Sequence, residues 1–255
     1  MLLSCRRLAS GTAVASELAN FAKLASGWWS RGGADPMAAL HAMNAVRVPW
    51  IRDTLSPLPK DPRRPLAGME MVDAGCGAGV LAEPLARLGA KVLGIDASDD
   101  VIQAAQAHAA AANDLSSLTY KVSTIEELAG AKKGGLDAVV ASEVVEHVGD
   151  RRLFLSSAAQ LLKPGGWLFV TTINRTMASR IFAITLAESP CFGIVPPGTH
   201  QWHMFVPPED LCRNVEEAGL RVRSLSGLLY IPGLNRWHWS PNRSINYALS
   251  AQKPL

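Results

Sequence analysis

The chain has 255 residues, with 25 Lys and Arg against 22 Asp and Glu, for a net charge of +3. A chain of this length builds a full hydrophobic core without disulfide or metal staples, and 48% apolar against 18% charged residues excludes a disordered polymer. A charge of +3 is too small for a nucleic-acid footprint, and no apolar run approaches the ~18 residues needed to cross a bilayer. Cys5, Cys76, Cys191 and Cys212 form no C-x-x-C pair, which points to a reducing compartment rather than a disulfide framework.

The first sixteen residues contain Arg6, Arg7, three Ser and no acid, the composition of a mitochondrial transit peptide or of an ordinary N-terminal tail. The pattern predicts a leader over 1–16 and one domain over 17–255. Leu18, Phe21, Ala25 and Trp28 recur at helical spacing and predict a helix to Trp29, ending near Gly32-Gly33. From Gly68 onward strand and helix alternate. Met69–Gly75 is a strand entering a glycine-rich turn, Val80–Leu88 a helix, and Lys91–Asp96 a second strand. Ser98 caps a helix to Ala112, and Thr119–Ser123 is a third strand. Leu136–Ser142 has the unbroken apolar run of a strand buried on both faces. A helix over Arg151–Leu162 stops at Lys163-Pro164-Gly165-Gly166, and Trp167–Ile173 is the fifth strand. Such alternation predicts a doubly wound, mostly parallel α/β sheet. Beyond it lie a helix over Met177–Glu188, an apolar insertion spanning about 177–205, a helix over Glu209–Ala218, and strands at Arg221–Leu225 and Ile245–Gln252 that pair as an antiparallel edge.

Two motifs carry chemistry. Asp73-Ala74-Gly75-Cys76-Gly77-Ala78-Gly79 follows the first strand and opens a helix, where glycines admit a ligand to the backbone and a helix N-terminus offers free N–H groups. The dinucleotide fingerprint wants Gly or Ala at position 80, which is Val80. Asp96, 21 residues beyond Gly75, closes the second strand, where an acid accepts hydrogen bonds from ribose hydroxyls. This loop with its acid resembles the S-adenosylmethionine (SAM) site of class I methyltransferases. The second motif, Ser142-Glu143-Val144-Val145-Glu146-His147, follows the fourth strand. Glu143, Glu146 and His147 stand at i, i+3 and i+4, so a helical turn would aim all three at one point and suit either a divalent cation or a general base.

The string Asp137 to His147, with Leu40-His41 to Arg47, Lys163 to Gly166, Pro197 to His200 and the Trp28-Trp29 pair, resembles the ubiquinone biosynthesis O-methyltransferase family over about Ala19 to Gln252. Ser30 and Ala78 depart from the family pattern, and neither falls on a matched binding residue. The resemblance implies a seven-stranded class I methyltransferase sheet. It also implies SAM contacts at Arg47, Gly75, Asp96 and Ser142, and Mg²⁺ held by Glu143, Glu146 and His147. The implied substrate is a polyprenylated catechol. The implied location is the matrix face of the mitochondrial inner membrane, peripherally bound, within a multi-protein ubiquinone biosynthesis assembly. A nucleic-acid methyltransferase would instead carry an Asp/Asn-Pro-Pro-aromatic string after strand four. A non-catalytic SAM- or lipid-binding subunit is the rival of a different class.

A prenyl tail requires an apolar bed, expected from Met177, Ile181, Phe182, Ile184, Phe192, Ile194 and Val195. Six of the seven Trp lie outside the predicted parallel strands, the distribution of residues that meet a membrane interface. His108 is expected to be solvated on an exposed helix face, and His41 and His200 are candidates for the pocket wall.

Overall fold

The computed structural model describes residues 11–14, 17, 18, 20, 27–29, 37–131, 134–181, 184 and 201–255. In chain order these comprise α1 (Ala38–Leu55), β1 (Glu70–Ala74), α2 (Ala82–Arg87), β2 (Lys91–Asp96), α3 (Asp99–Ala110), β3 (Leu118–Val122), α4 (Ile125–Ala131), β4 (Leu136–Ser142), α5 (Arg151–Leu161), β5 (Leu162–Ile173), α6 (Pro208–Glu217), β6 (Arg221–Ile231), β7 (Arg236–Ser240) and β8 (Asn246–Gln252). The expectations at Phe21, Gly32-Gly33, Phe182, Phe192, Ile194, Val195 and His200 lie outside the described residues.

The strands form one sheet in the order β3-β2-β1-β4-β5-β8-β6-β7. Pairings from β3 through β5 are parallel, and those of β8 with β5 and β6, and of β6 with β7, are antiparallel. The sheet therefore has eight strands rather than seven. The extra strand is β7, whose Trp237 turns inward beneath α1 and donates from Nε1 to Ala39 O at 2.8 Å. Period-two alternation sorts the central strands between two cores. Val72, Val139, Ala141, Leu168 and Val170 pack under α4, α5 and α6. Met71, Ala138, Val140 and Phe169 pack under α1 and α2. Burial on both faces explains why these strands read as unbroken apolar runs.

Helix α5 starts where Asp150 accepts Leu153 N–H at 3.0 Å, a side-chain cap. Ser98 precedes α3 as expected, but its hydroxyl makes no cap bond. Of the expected helix over Met177–Glu188, the described part contains a turn at Met177–Ser179, capped by Thr176, which accepts Ser179 N–H. The tryptophans serve mainly as packing: Trp50 meets Phe169 edge-on at 5.0 Å, Trp28 is buried, and Trp239 is the largely exposed one.

Strand β8 is buried almost throughout, and Tyr247 near its start donates its hydroxyl to Val206 O at 2.8 Å, fastening the segment before α6 to the sheet. Tyr247→Phe leaves that carbonyl without its donor in a closed core. The expected cost is about 1–3 kcal/mol, read as a lower urea midpoint with an unchanged slope.

Candidate functional site

In a doubly wound sheet the crevice opens at the strands' C-terminal ends, where neighbouring connections leave toward opposite faces. Here that point lies between β1 and β4. A cavity of about 800 Å³ occupies it, lined among others by Arg47, Asp73, Gly75, Asp96, Ser142, Glu143 and His147. The structure thus gathers the four residues expected to touch SAM into one wall.

The glycine loop is shaped by its neighbours. Gly75, Gly77 and Gly79 all have positive φ, at 71°, 54° and 89°. A Cβ on Gly77 would stand 2.3 Å from the Trp28 ring, and one on Gly75 2.6 Å from Val144. Only glycine satisfies both the left-handed backbone and the close approach. Asp96 organises the loop, accepting Gly77 N–H at Oδ2 (3.1 Å) and Ser98 N–H at Oδ1 (2.9 Å). Burial pushes its carboxyl up, and these backbone donors pull it back.

The N-terminal tryptophans close over the loop. Trp29 donates from Nε1 to Ala78 O at 3.0 Å and stacks on His108 at 3.4 Å between ring centroids. His108 is therefore not the solvated residue expected: its Nδ1 also meets the fully buried Glu83 at 2.6 Å. His41 reaches the Trp28 carbonyl at 2.8 Å, in the support of the loop rather than the cavity lining.

Arg47 projects from α1 into the buried floor. It donates to Asn44 Oδ1 (2.6 Å), Ser142 Oγ (2.8 Å) and Leu40 O (3.3 Å), and Ser142 continues the chain to Thr171 Oγ1 at 2.6 Å. Burial lowers the guanidinium to about 10, opposed by the charges of Asp73 and Glu143. Asp73 is the mirror case. Burial raises its carboxyl to about 7, Arg47 pulls it down and Asp96 pushes it further up, while its Oδ2 has no hydrogen-bond partner.

After β4 the backbone departs from expectation. Glu143, Glu146 and His147 lie on a turn, not a helix. Glu143 takes φ 58°, a left-handed conformation that costs energy for a side-chain-bearing residue, and His147 N–H closes the turn onto Val144 O at 2.8 Å. The next residues are captured by the N-terminal segment, with Val148 bridging Ala13 and Gly149 N–H reaching Thr12 O at 2.8 Å, so helix α5 begins only at Arg151. Thr12, Ala13 and Val14 also line the cavity.

Glu143 and His147 line the cavity, whereas Glu146 sits behind them, buried, with Oε2 accepting the Thr172 hydroxyl at 2.7 Å. Its Oε1 has no hydrogen-bond partner. Burial first, then the Glu143 charge, drive its carboxyl well above the usual range. Two neighbouring carboxylates, with Oε1 of the buried Glu146 left without a hydrogen-bond partner, are a donor set that suits a hard divalent cation. Among the described residues, however, no three His, Cys, Asp or Glu side chains already stand as a closed metal cage. His147 Nδ1 meets Glu17 Oε2 at 2.7 Å, and Glu17 Oε1 accepts from Gln201 Nε2 at 2.9 Å. Glu17 and Trp28 join this site through contacts distant in sequence, which no local spacing announces.

A family model described as a methyltransferase domain matches residues 46–225. The chain is 47% identical over 245 residues to the mitochondrial ubiquinone biosynthesis O-methyltransferase of Homo sapiens, covering 95% of this chain and 66% of that protein. It thus spans just under two thirds of that relative's length. It is 44% identical over 242 residues to the ubiquinone biosynthesis O-methyltransferase of Methylobacterium nodulans, covering 94% of this chain and 95% of that protein. Magnesium protoporphyrin IX methyltransferase from Synechocystis PCC 6803 with bound SAM shares the fold at a TM-score of 0.61 and 17% identity, covering 96% of this chain and 100% of that chain.

The raised Asp73 carboxyl has a stability signature. Between the ordinary carboxylate pKa near ~4 and about 7, the folded state keeps a proton that the unfolded chain has released. Its contribution therefore falls as pH rises through that window. Urea unfolding of wild type and Asp73→Asn should show the variant gaining relative stability from pH 4.5 to 7.5, with a flat difference as the opposing result.

Proposed function

The chain belongs to the ubiquinone biosynthesis O-methyltransferase family, and from that premise we propose that it transfers a methyl group from SAM to a catechol-type hydroxyl of a polyprenylated ubiquinone precursor. The observation that carries this reading is the convergence of the glycine loop, Asp96 and the Glu143–His147 turn on one cavity of about 800 Å³, within the usual range for small-molecule sites. SAM supplies an electrophilic methyl when bound. Asp96 offers lone pairs beyond those taken by Gly77 and Ser98 for ribose hydroxyls. Asp73 supplies an acceptor for the donor's ammonium. Arg47 holds Ser142 in place at the floor.

Methyl transfer needs a phenolate, and a phenol of pKa ~10 is mostly protonated at neutral pH. Mg²⁺ held by Glu143, Glu146 and His147 would act as a Lewis acid toward the catechol oxygens and lower that pKa. The orphaned Oε1 of Glu146 and its raised proton affinity support the assignment, since a cation there replaces the proton. Holding acceptor and methyl group in line accounts for much of the remaining acceleration. Incubation with labelled SAM and a short-chain prenyl catechol should give the methyl ether, and chelation should abolish it until Mg²⁺ returns. Full activity after exhaustive chelation sinks the metal assignment. Tight SAM binding without transfer favours the non-catalytic subunit.

Peripheral contact with a membrane is supported by Met177 and Ile181, 60% and 47% exposed beside the cavity-lining Ala178, and the matrix face of the inner membrane is the location that the family implies. No helix among the described residues is long and apolar enough to cross a membrane. The leader expected over residues 1–16 is shortened in this proposal to end ahead of Thr12, because Thr12–Val14 line the cavity and Thr12 O accepts Gly149 N–H. Membership of a multi-protein ubiquinone assembly is carried by the family. Fractionation of cells expressing a C-terminally tagged chain should place it in mitochondrial membranes, released by carbonate and co-purifying with other enzymes of that pathway, with a mature N-terminus before Thr12. Met177→Glu with Ile181→Glu should shift it to the soluble matrix, and unchanged membrane retention removes this contact surface.

A further inference from the structure

The residue that ties the N-terminal segment to the acceptor side of the cavity is Glu17. Its side chain is 7% exposed and that of His147 13%. Within that enclosure Glu17 Oε2 stands 2.7 Å from His147 Nδ1, and Oε1 is engaged by Gln201. The segment around it is anchored independently, by the Ala13–Val148 bridge, by Gly149 N–H on Thr12 O and by the Thr12 hydroxyl on Glu126 Oε1 at 2.7 Å. Glu17 is therefore a built contact, held at both carboxylate oxygens and on a fixed backbone.

A carboxylate only accepts hydrogen bonds, so Nδ1 of His147 is the donor in this pair. A neutral ring that carries its proton on Nδ1 presents Nε2 as the accepting nitrogen. We propose that Glu17 is a positioning residue that fixes His147 in the Nδ1–H tautomer and orients its Nε2 toward the chemistry of the cavity. The same arrangement, a carboxylate behind an imidazole, orients histidines in metal sites, and its loss costs 10–100-fold in metal affinity. The inference rests on the reading of the Glu143–His147 turn as the acceptor-activating element, whether His147 binds the cation or takes the proton.

The test uses the full chain, with Glu17→Ala as the deletion, Glu17→Gln as the isosteric variant if the deletion does not fold, and Glu17→Asp as the conservative rescue. Long-range ¹H–¹⁵N spectra of the histidine rings, with His147 identified by its absence in His147→Gln, report the tautomer directly. Wild type should show Nδ1–H, and the deletion should lose that preference. Mn²⁺ as the probe cation, followed by its paramagnetic resonance, should bind about 10–100-fold more weakly to the deletion, with the aspartate variant between. Affinity for S-adenosylhomocysteine should not change, because the glycine loop and Asp96 are untouched. A wild-type His147 protonated on Nε2, or a tautomer unmoved by either variant, overturns the proposal. If the tautomer responds but wild type binds no Mn²⁺, the metal reading fails while Glu17 stands as the residue that orients a base.

Discussion

One buried cation makes the site possible. Among the described residues that line the cavity, Arg47 is the one arginine or lysine, and it feels the negative charges of both Asp73 and Glu143. Its guanidinium donates to Asn44, Ser142 and the Leu40 carbonyl, so it is held in place as well as charge-compensated. Through Ser142 the lock extends to Thr171, which joins α1 to the ends of β4 and β5. The positions of both motifs depend on that tie: the glycine loop on one side, the Glu143 turn on the other. The Asp73 carboxyl is raised to about 7 because burial outweighs the pull of that one positive charge.

The parallel half of the sheet was legible because strands buried on both faces leave continuous apolar runs, as in Leu136–Ser142. Helix α1 was not anticipated, and its geometry explains why. Its buried stripe runs Met43, Arg47, Ile51, with an arginine where a periodic reading seeks an apolar residue, and Pro49 lies inside it. Strand β7 escaped notice because Trp237 and Trp239 suggested an interface. One of them instead fills the space under α1. In the site, Gly75 and Asp96 were readable from the loop and its spacing, while Arg47 and Ser142 entered by resemblance alone. The turn at Glu143 was misread as helical because i, i+3, i+4 spacing describes a face only once the backbone is helical. A left-handed residue at Glu143, followed by pairing of Val148 and Gly149 with the distant Ala13 and Thr12, leaves no mark in local spacing.

The tryptophans illustrate how composition misleads when contacts decide. Trp28 occupies the volume that a side chain at position 77 would need, and Trp29 is held between a loop carbonyl and His108. Trp202 donates to Thr176 O while Arg180 lies over its ring at 5.6 Å. Large flat rings with one donor suit places where a loop must be covered and one carbonyl satisfied. That demand arises around a cavity as readily as at a lipid boundary.

The order of the strands in space also sets an order in time. Strand β8 follows β6 and β7 in the chain but lies between β5 and β6 in the sheet, so the β6–β7 hairpin has no sheet to join until the later segment is in place. A chain emerging N-terminus first, from a ribosome or a translocation pore, must hold a nearly complete parallel half with the edge of β5 open. Long-range closure of this kind is slow and leaves an unpaired edge exposed to association. Arrival of residues 246–252 is the event that closes the sheet between β5 and β6.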